Sequence, residues 1–197
     1  GIVMDDGTTT RISENHYHMT TTTAQAANVL SHLEYYLQIV WPELNVNVVS
    51  TTEQWAGAAI AGPKSREMLS KLYPDLDVSN EALPFMGYKE AEFFGVPSRI
   101  FRISFSGELA YEINVKSDHG MFMWEKMMEV GKEFGNQPYG TEALSTLRIE
   151  MGHVAGPELD GRTIPSDVSL NGLVSKKKDF IGKNSLGREA FNIESRQ

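Results

Sequence analysis

The sequence predicts an α+β fold, and three observations carry that prediction. Runs that alternate apolar with polar residues and runs with helical spacing are both present, yet they do not alternate regularly along the chain. Turn signals built on Gly and Asp join neighbouring strand-like runs, giving hairpins mixed with β-α-β units rather than a doubly wound sheet. No G-x-G-x-x-G or Walker pattern occurs, so no nucleotide phosphate is cradled in the usual manner.

The elements follow in order. Residues 2–4 and 8–12 read as short strands separated by Asp5-Asp6-Gly7, a turn signal between β-prone runs. That tripeptide has two readings: a plain turn, or a carboxylate held at a rigid strand end. Ser13-Glu14-Asn15 makes a further turn, and residues 16–21 a second strand. Thr22 or Thr23 caps a helix over residues 24–40, with Ala26, Val29, Leu30, Leu33, Tyr36, Leu37 and Val40 as its apolar stripe. Trp41-Pro42 ends it, because Pro cannot extend a helix. Residues 44–49 alternate cleanly and predict another strand.

Residues 55–61 form a more continuously apolar strand, and Gly62-Pro63 opens a helix carried by Met68, Leu69 and Leu72. After an irregular connection over residues 74–84, strands are predicted over 90–94 and 97–106, around Gly95. Ser106-Gly107-Glu108-Leu109 reads as a hairpin connection into a strand over 110–115. In that strand Tyr111, Ile113 and Val115 share one face, and Glu112 and Asn114 the other. Glu is disfavoured within strands. Glu112 therefore either points at water or faces a pocket, where it accepts two parallel N–H donors from an amidine-like ring.

Ser117-Asp118 begins a helix to about residue 134, with Phe122, Met123, Met127 and Val130 as its buried side and Gly135 as its stop. Thr141 caps a helix carried by Ala143, Leu144, Leu147 and Met151. Turns dominate beyond Gly152, up to a short terminal helix and a polar tail.

Composition excludes several classes of function. The 197-residue chain suffices for one large domain or two small ones. Its 18 basic and 26 acidic residues leave a net charge of −8, which argues against nucleic acid or an anionic membrane as main partner. The absence of cysteine removes disulfides, thiolate metal sites and a catalytic thiol, and fits a reducing compartment, the cytoplasm. No apolar run reaches the ~18 residues that span a bilayer. The opening residues Gly-Ile-Val-Met-Asp-Asp show no signal-peptide pattern.

Other candidate groups stay open on residues alone. His16 and His18 lie on one strand face, but a metal site needs a third ligand, such as His153. Arg148 and Glu150 are either surface charge or, for Arg148, a bidentate partner for a carboxylate. Lys176-Lys177-Lys178 is either a solvated loop or a landing place for an anionic ligand tail.

Four phrases, in order and across nearly the whole chain, resemble the aminomethyltransferase (glycine cleavage T-protein) family. They are residues 1–7 (GIVMDDG), 106–112 (SGELAYE), 146–152 (TLRIEMG) and 179–183 (DFIGK). Within it, residues 20–23 (TTTT), 49–55 (VSTTEQW) and 138–143 (PYGTEA) look most like the C-terminal half of the α subunit of heterotetrameric sarcosine oxidases.

The resemblance implies a tetrahydrofolate-binding fold and a one-carbon role, in which an imine from sarcosine oxidation is trapped as methylene-tetrahydrofolate. Asp6 matches the family's functional aspartate, and Glu112 the glutamate that holds the pterin edge; Glu108, Arg148 and His18 are further expected folate-binding residues. FAD, FMN and NAD are expected in the full complex rather than on this segment, with a flavin-bearing β subunit and smaller subunits as partners, and no metal is expected. The expected division is 1–54 as part of a first folate-binding subdomain, 55–155 as a second subdomain and 156–197 as a loop-rich tail. By the same resemblance the fold is incomplete at both ends, with a segment ahead of Gly1 and a barrel after the tail. Many T-proteins carry Tyr at His18, Arg at Leu144 and Tyr at Phe105; that Arg usually meets the glutamyl end of folate. Other expected readings are a T-protein or dimethylglycine-oxidase relative, and a non-catalytic scaffold docking a flavin subunit.

Overall fold

The structure, a computed structural model, describes residues 1–191. It is α+β: helices together with antiparallel sheets. The chain forms two compact units, one of Gly1–Val49 with the chain from Val154 onward, the other of Ser50–His153.

The second unit is built on four strands, β3 (Trp55–Ala61), β4 (Tyr88–Phe93), β5 (Val96–Phe101) and β6 (Ala110–Lys116), in the order β3-β6-β5-β4. Every pairing is antiparallel. Helix α2 (Ser65–Leu72) therefore links the two edge strands β3 and β4, which lie at opposite sides of the sheet. It packs with α3 (Gly120–Gly131) over one face. The registers Ile60↔Tyr111, Ala58↔Ile113 and Ile100↔Ile113 align the inward side chains into rows. Leu69, Phe93, Ile100, Tyr111, Ile113 and Val115 are wholly buried there, beside Met68, Leu72, Met123 and Met127. A polar pair in this core is satisfied: the Tyr73 and Ser98 hydroxyls lie 2.9 Å apart, and Ser98 donates to the Ala91 carbonyl at 2.7 Å. Burial pushes the Tyr73 hydroxyl pKa well above its ordinary value.

The β4–β5 hairpin turns on Phe94 and Gly95, both at positive φ (49° and 83°), which matches the right-handed twist of the strands. The expected strand over 97–106 is shorter than predicted. Ladder pairing ends at Phe101, opposite Tyr88 on one side and Glu112 on the other. Two further backbone bonds, Arg102 N–H to Gly87 O and Met86 N–H to Arg102 O, tie the chain to the turn before β4. Residues 102–109 then form an irregular loop held by helix α4 (Thr141–Met151). Phe105 meets the His153 ring at 4.8 Å, and a Cβ on Gly107 (φ 82°) would lie 2.7 Å from Met151 Sδ. The connection is thus twice the predicted length because its residues pack on α4 rather than on each other.

In the first unit, β1 (Thr9–Ser13) and β2 (His16–Met19) pair as a two-stranded ribbon. The predicted helix over 24–40 is present but composite: a 3₁₀ turn, α1 (Ala26–Tyr35), then a π turn closing at Trp41. No Thr side chain caps it. Its stripe from Ala26 to Leu37 is half-buried, whereas Val40 is exposed. Two predicted strands are absent. Residues 2–4 are irregular, although Val3 N–H donates to Thr163 O at 2.8 Å. Residues 44–49 have no ladder partner, and Val46 and Val49 stand 53% and 77% exposed. Alternation fixes which side chains share a face, but a strand also requires another strand to satisfy its backbone. Ser117, Asp118 and Thr141 make no side-chain cap bonds, and Thr141 is instead the first residue of α4. The terminal helix is reduced to α5 (Lys183–Leu186) and a 3₁₀ turn, and the expected polar tail lies outside the described residues.

This packing predicts the cost of cavities. Ile113→Ala should lower stability by about 3 kcal/mol, whereas Val49→Ala should change it by less than about 0.5 kcal/mol. Urea unfolding midpoints at a constant m value check both.

Candidate functional site

The same register that buries Tyr111, Ile113 and Val115 sends Glu112 and Asn114 to the other face of the sheet. Glu112 lies between Ala59 on β3 and Phe101 on β5. Its carboxylate is largely desolvated, yet it makes no hydrogen bond or ion pair among the described residues. Burial without a compensating donor raises its pKa above the ordinary carboxylate value.

The surroundings on this face are small or flat. Gly57 and Ala59 place almost no side chain beside Glu112 and Asn114, and a Cβ on Gly57 would come within 2.9 Å of Asn114 Oδ1. Further across, Arg99 stacks over the Trp55 ring at 4.1 Å and pairs with Glu90 at 3.5 Å, and Tyr88 hydrogen-bonds Glu90. The face thus offers a desolvated carboxylate without a partner among the described residues, an adjacent side-chain amide and a guanidinium stacked on Trp55. Such a set can accept paired N–H groups from a planar heterocycle at Glu112. The sequence pattern placed Asn114 beside Glu112 but did not single out Arg99, Trp55 or Glu90, although each lies within a predicted strand; the pairing of Arg99 with Asn114 across β5 and β6 is what brings it to this face.

Asp6 is held from both sides within the first unit. Asp5 is consumed structurally: Thr22 donates to it through its backbone N–H at 2.8 Å and its hydroxyl at 2.9 Å. Gly7 lies so close to the Thr20 carbonyl that a Cβ would fall 2.0 Å from that oxygen, and only glycine fits. Thr8 and Thr20 exchange backbone and hydroxyl bonds just beyond. The half-buried Asp6 therefore sits on a backbone pinned before and after it.

The other expected residues are placed as follows. Glu108 is exposed in the 102–109 loop and makes no ion pair among the described residues. His18 is half-buried in β2 opposite Thr10. Among the described residues no group of three His, Asp or Glu side chains is arranged to hold a metal ion. Arg148 departs from the surface-charge reading: it is 7% exposed, donates to His153 O at 3.2 Å, and occupies the inward side of α4 while Ile149 and Met151 stand exposed. Hence α4 turns a cation inward where its apolar spacing predicted Ala143 and Met151. Another buried polar group escaped sequence reading. The Tyr111 hydroxyl has no hydrogen-bond partner among the described residues; burial raises its pKa, opposed by Arg66 and Arg102.

Residues 1–178 match the family described as the GCVT N-terminal domain. The chain belongs to that family. Over its whole length it is 48% identical to sarcosine oxidase subunit alpha of Rhizobium meliloti (strain 1021), covering 20% of that protein. It is 49% identical to the subunit of the same name from Corynebacterium sp. (strain P-1), covering 21%. The aminomethyltransferase of Chloroherpeton thalassium (strain ATCC 35110 / GB-78) is 30% identical over 98% of this chain, which covers 52% of it. The chain thus spans about a fifth of the length of the sarcosine oxidase subunits it matches. No helix among the described residues is long and apolar enough to cross a membrane.

The desolvation of Glu112 has a measurable sign. Its raised pKa means the folded GCVT domain binds a proton more readily than the unfolded chain. The resulting stabilisation is complete below the unfolded-state pKa and is lost as pH rises through the folded-state value. Glu112→Gln should therefore raise stability at neutral pH, with the gain shrinking towards about pH 4, as followed by urea midpoints across that range.

Proposed function

We propose that this chain is the tetrahydrofolate-binding, one-carbon-transfer module of a sarcosine-oxidase-like enzyme. The observation that carries the reading is Glu112: a desolvated strand carboxylate, flanked by small or flat residues and without a donor among the described residues. A reduced pterin presents two parallel N–H groups to such an acceptor, and its flat ring suits the low relief around Ala59 and Phe101. Whole-length identities of 47–49% with sarcosine oxidase subunits, against 30% with an aminomethyltransferase, favour the oxidase setting over lipoyl-carrier chemistry.

Tetrahydrofolate, when bound, supplies the amine that captures the imine released by sarcosine oxidation. Glu112 holds the pterin edge and fixes its orientation. Asp6, on its pinned backbone, keeps a carboxylate at the reacting folate nitrogen, orients that nitrogen and takes its proton; an ionised carboxylate there also stabilises developing positive charge. Arg148, Glu108 and His18 are assigned supporting contacts to folate. The flavin chemistry, with FAD, FMN and NAD, belongs to other parts of a cytoplasmic hetero-oligomer that includes a flavin-bearing β subunit. The ferredoxin-like organisation within a larger folate-binding fold, and the division near residues 54 and 155, belong to the same reading.

The test separates the two acids in the intact enzyme. Asp6→Ala should abolish methylene-tetrahydrofolate formation while sarcosine oxidation continues; equal loss of both activities assigns Asp6 a structural role instead. Glu112→Ala should weaken tetrahydrofolate binding by calorimetry about 10- to 100-fold. Folate binding that is absent in the wild-type protein, or indifferent to this substitution, would leave a scaffold.

A further inference from the structure

Tyr111 stands on the core face of β6, and its hydroxyl is a buried group that the proposed chemistry leaves unused. The residue is wholly buried, yet the hydroxyl has no hydrogen-bond partner among the described residues. Phenylalanine would fill the same space without the cost of desolvating that group. The groups around it are cationic. The β5–β6 register, carried one step beyond Phe101↔Glu112, sets Arg102 opposite Tyr111 on the same face. Arg66, in the first turn of α2, lies with its guanidinium carbon 5.8 Å from the centre of the Tyr111 ring. Both positive charges act on the hydroxyl, against the upward pull of burial on its pKa. Each arginine also grips the connection between α2 and β4. Arg66 donates to Val78 O and, at 2.7 Å, to Asn80 Oδ1; Arg102 donates to Leu83 O at 2.9 Å. Those acceptors are neutral, and neither guanidinium forms an ion pair among the described residues. Arg102 Nε is buried as well, with no acceptor among them.

We propose that Tyr111, Arg66 and Arg102 bind a monatomic anion, chloride, between β6 and the connection that leads from α2 to β4. The donor set decides the class of ligand. The unsatisfied groups are an O–H and an N–H beside two positive charges, a set that repels a cation. A water molecule answers the hydrogen bonds but leaves the buried charge uncompensated, whereas an anion answers both. Seclusion decides its size. The Tyr111 hydroxyl and Arg102 Nε are both closed to solvent. An enclosed site of this kind suits an ion that accepts from any direction, rather than a phosphate that needs several oriented donors. The bound ion ties the connection after α2 to the sheet through the two arginines. This inference is independent of the folate reading, because the site uses the face of β6 opposite Glu112.

The experiment uses the protein in its native assembly with two probes, bromide and chloride. In crystals soaked in sodium bromide, an anomalous-scattering peak should stand against Tyr111 Oη and Arg102 Nε. In solution, amide hydrogen exchange over residues 76–87 and 102–112, read by mass spectrometry, should slow when sodium chloride replaces sodium gluconate at equal ionic strength. Where exchange follows opening of the site, each tenfold rise in chloride above its dissociation constant should slow it about tenfold. Tyr111→Phe keeps the ring and deletes only the hydroxyl, and Arg102→Gln deletes one charge and the Nε donor. Both should lose the bromide peak and the chloride response, and in chloride Tyr111→Phe should exchange faster than the wild type. With no anion bound, Tyr111→Phe merely removes a buried unpaired hydroxyl and should exchange no faster than the wild type. That result overturns the inference, as does wild-type exchange indifferent to chloride or a wild-type crystal without the peak. A peak that persists in both variants marks an adventitious ion only and overturns it equally.

Discussion

The pairing of β6 with strands on both sides is the constraint on which the Ser50–His153 unit depends. Because side chains alternate across a strand, one register assigns Tyr111, Ile113 and Val115 to the core and Glu112 to the opposite face in the same stroke. The apolar row cannot slip by one residue without burying a carboxylate under two helices. Packing energy from one face thereby fixes the position of a charged group on the other. A side chain that is unfavourable for its own strand, and for folding at neutral pH, is held in place by the burial of its neighbours.

A different solution holds Asp6. Its backbone is set instead by polar and steric contacts: the Asp5 carboxylate taking two donors from Thr22, and the close approach of Gly7 to the Thr20 carbonyl. Adjacent acids thus have separate tasks. One is saturated by hydrogen bonds and serves the fold, and the other carries the proposed chemistry.

The loop between β5 and β6 shows how a helix end can shape a segment that has no regular structure. Phe105 and Gly107 rest on His153 and Met151, and Arg148 turns inward to the His153 carbonyl one turn earlier. The C-terminal end of α4 is therefore an anchor for the residues that lead into β6, which gives its buried cation and exposed Ile149 a shared cause.

Local pattern was enough wherever an element's partner lay in the hydrophobic row it announced. The alternation of residues 110–115, the continuous apolar run of residues 55–61 and the helical stripe beginning at Ala26 all have structural counterparts. So do the left-handed stop at Gly135 (φ 73°) and the turn at Gly95. The sequence by itself determined the α+β class, the two faces of β6 and the ordered phrases that mark the GCVT family. Tertiary structure decided the rest, because it depends on partners distant along the chain. Residues 44–49 alternate but find no ladder; residues 102–106 alternate but leave the sheet for α4; Arg148 lies among apolar spacing yet turns inward. It also decided that Glu112 would be desolvated and unpaired, a property of its neighbours on β3 and β5 rather than of its own strand. Periodicity specifies which residues share a face, and only the assembled sheet specifies what that face meets.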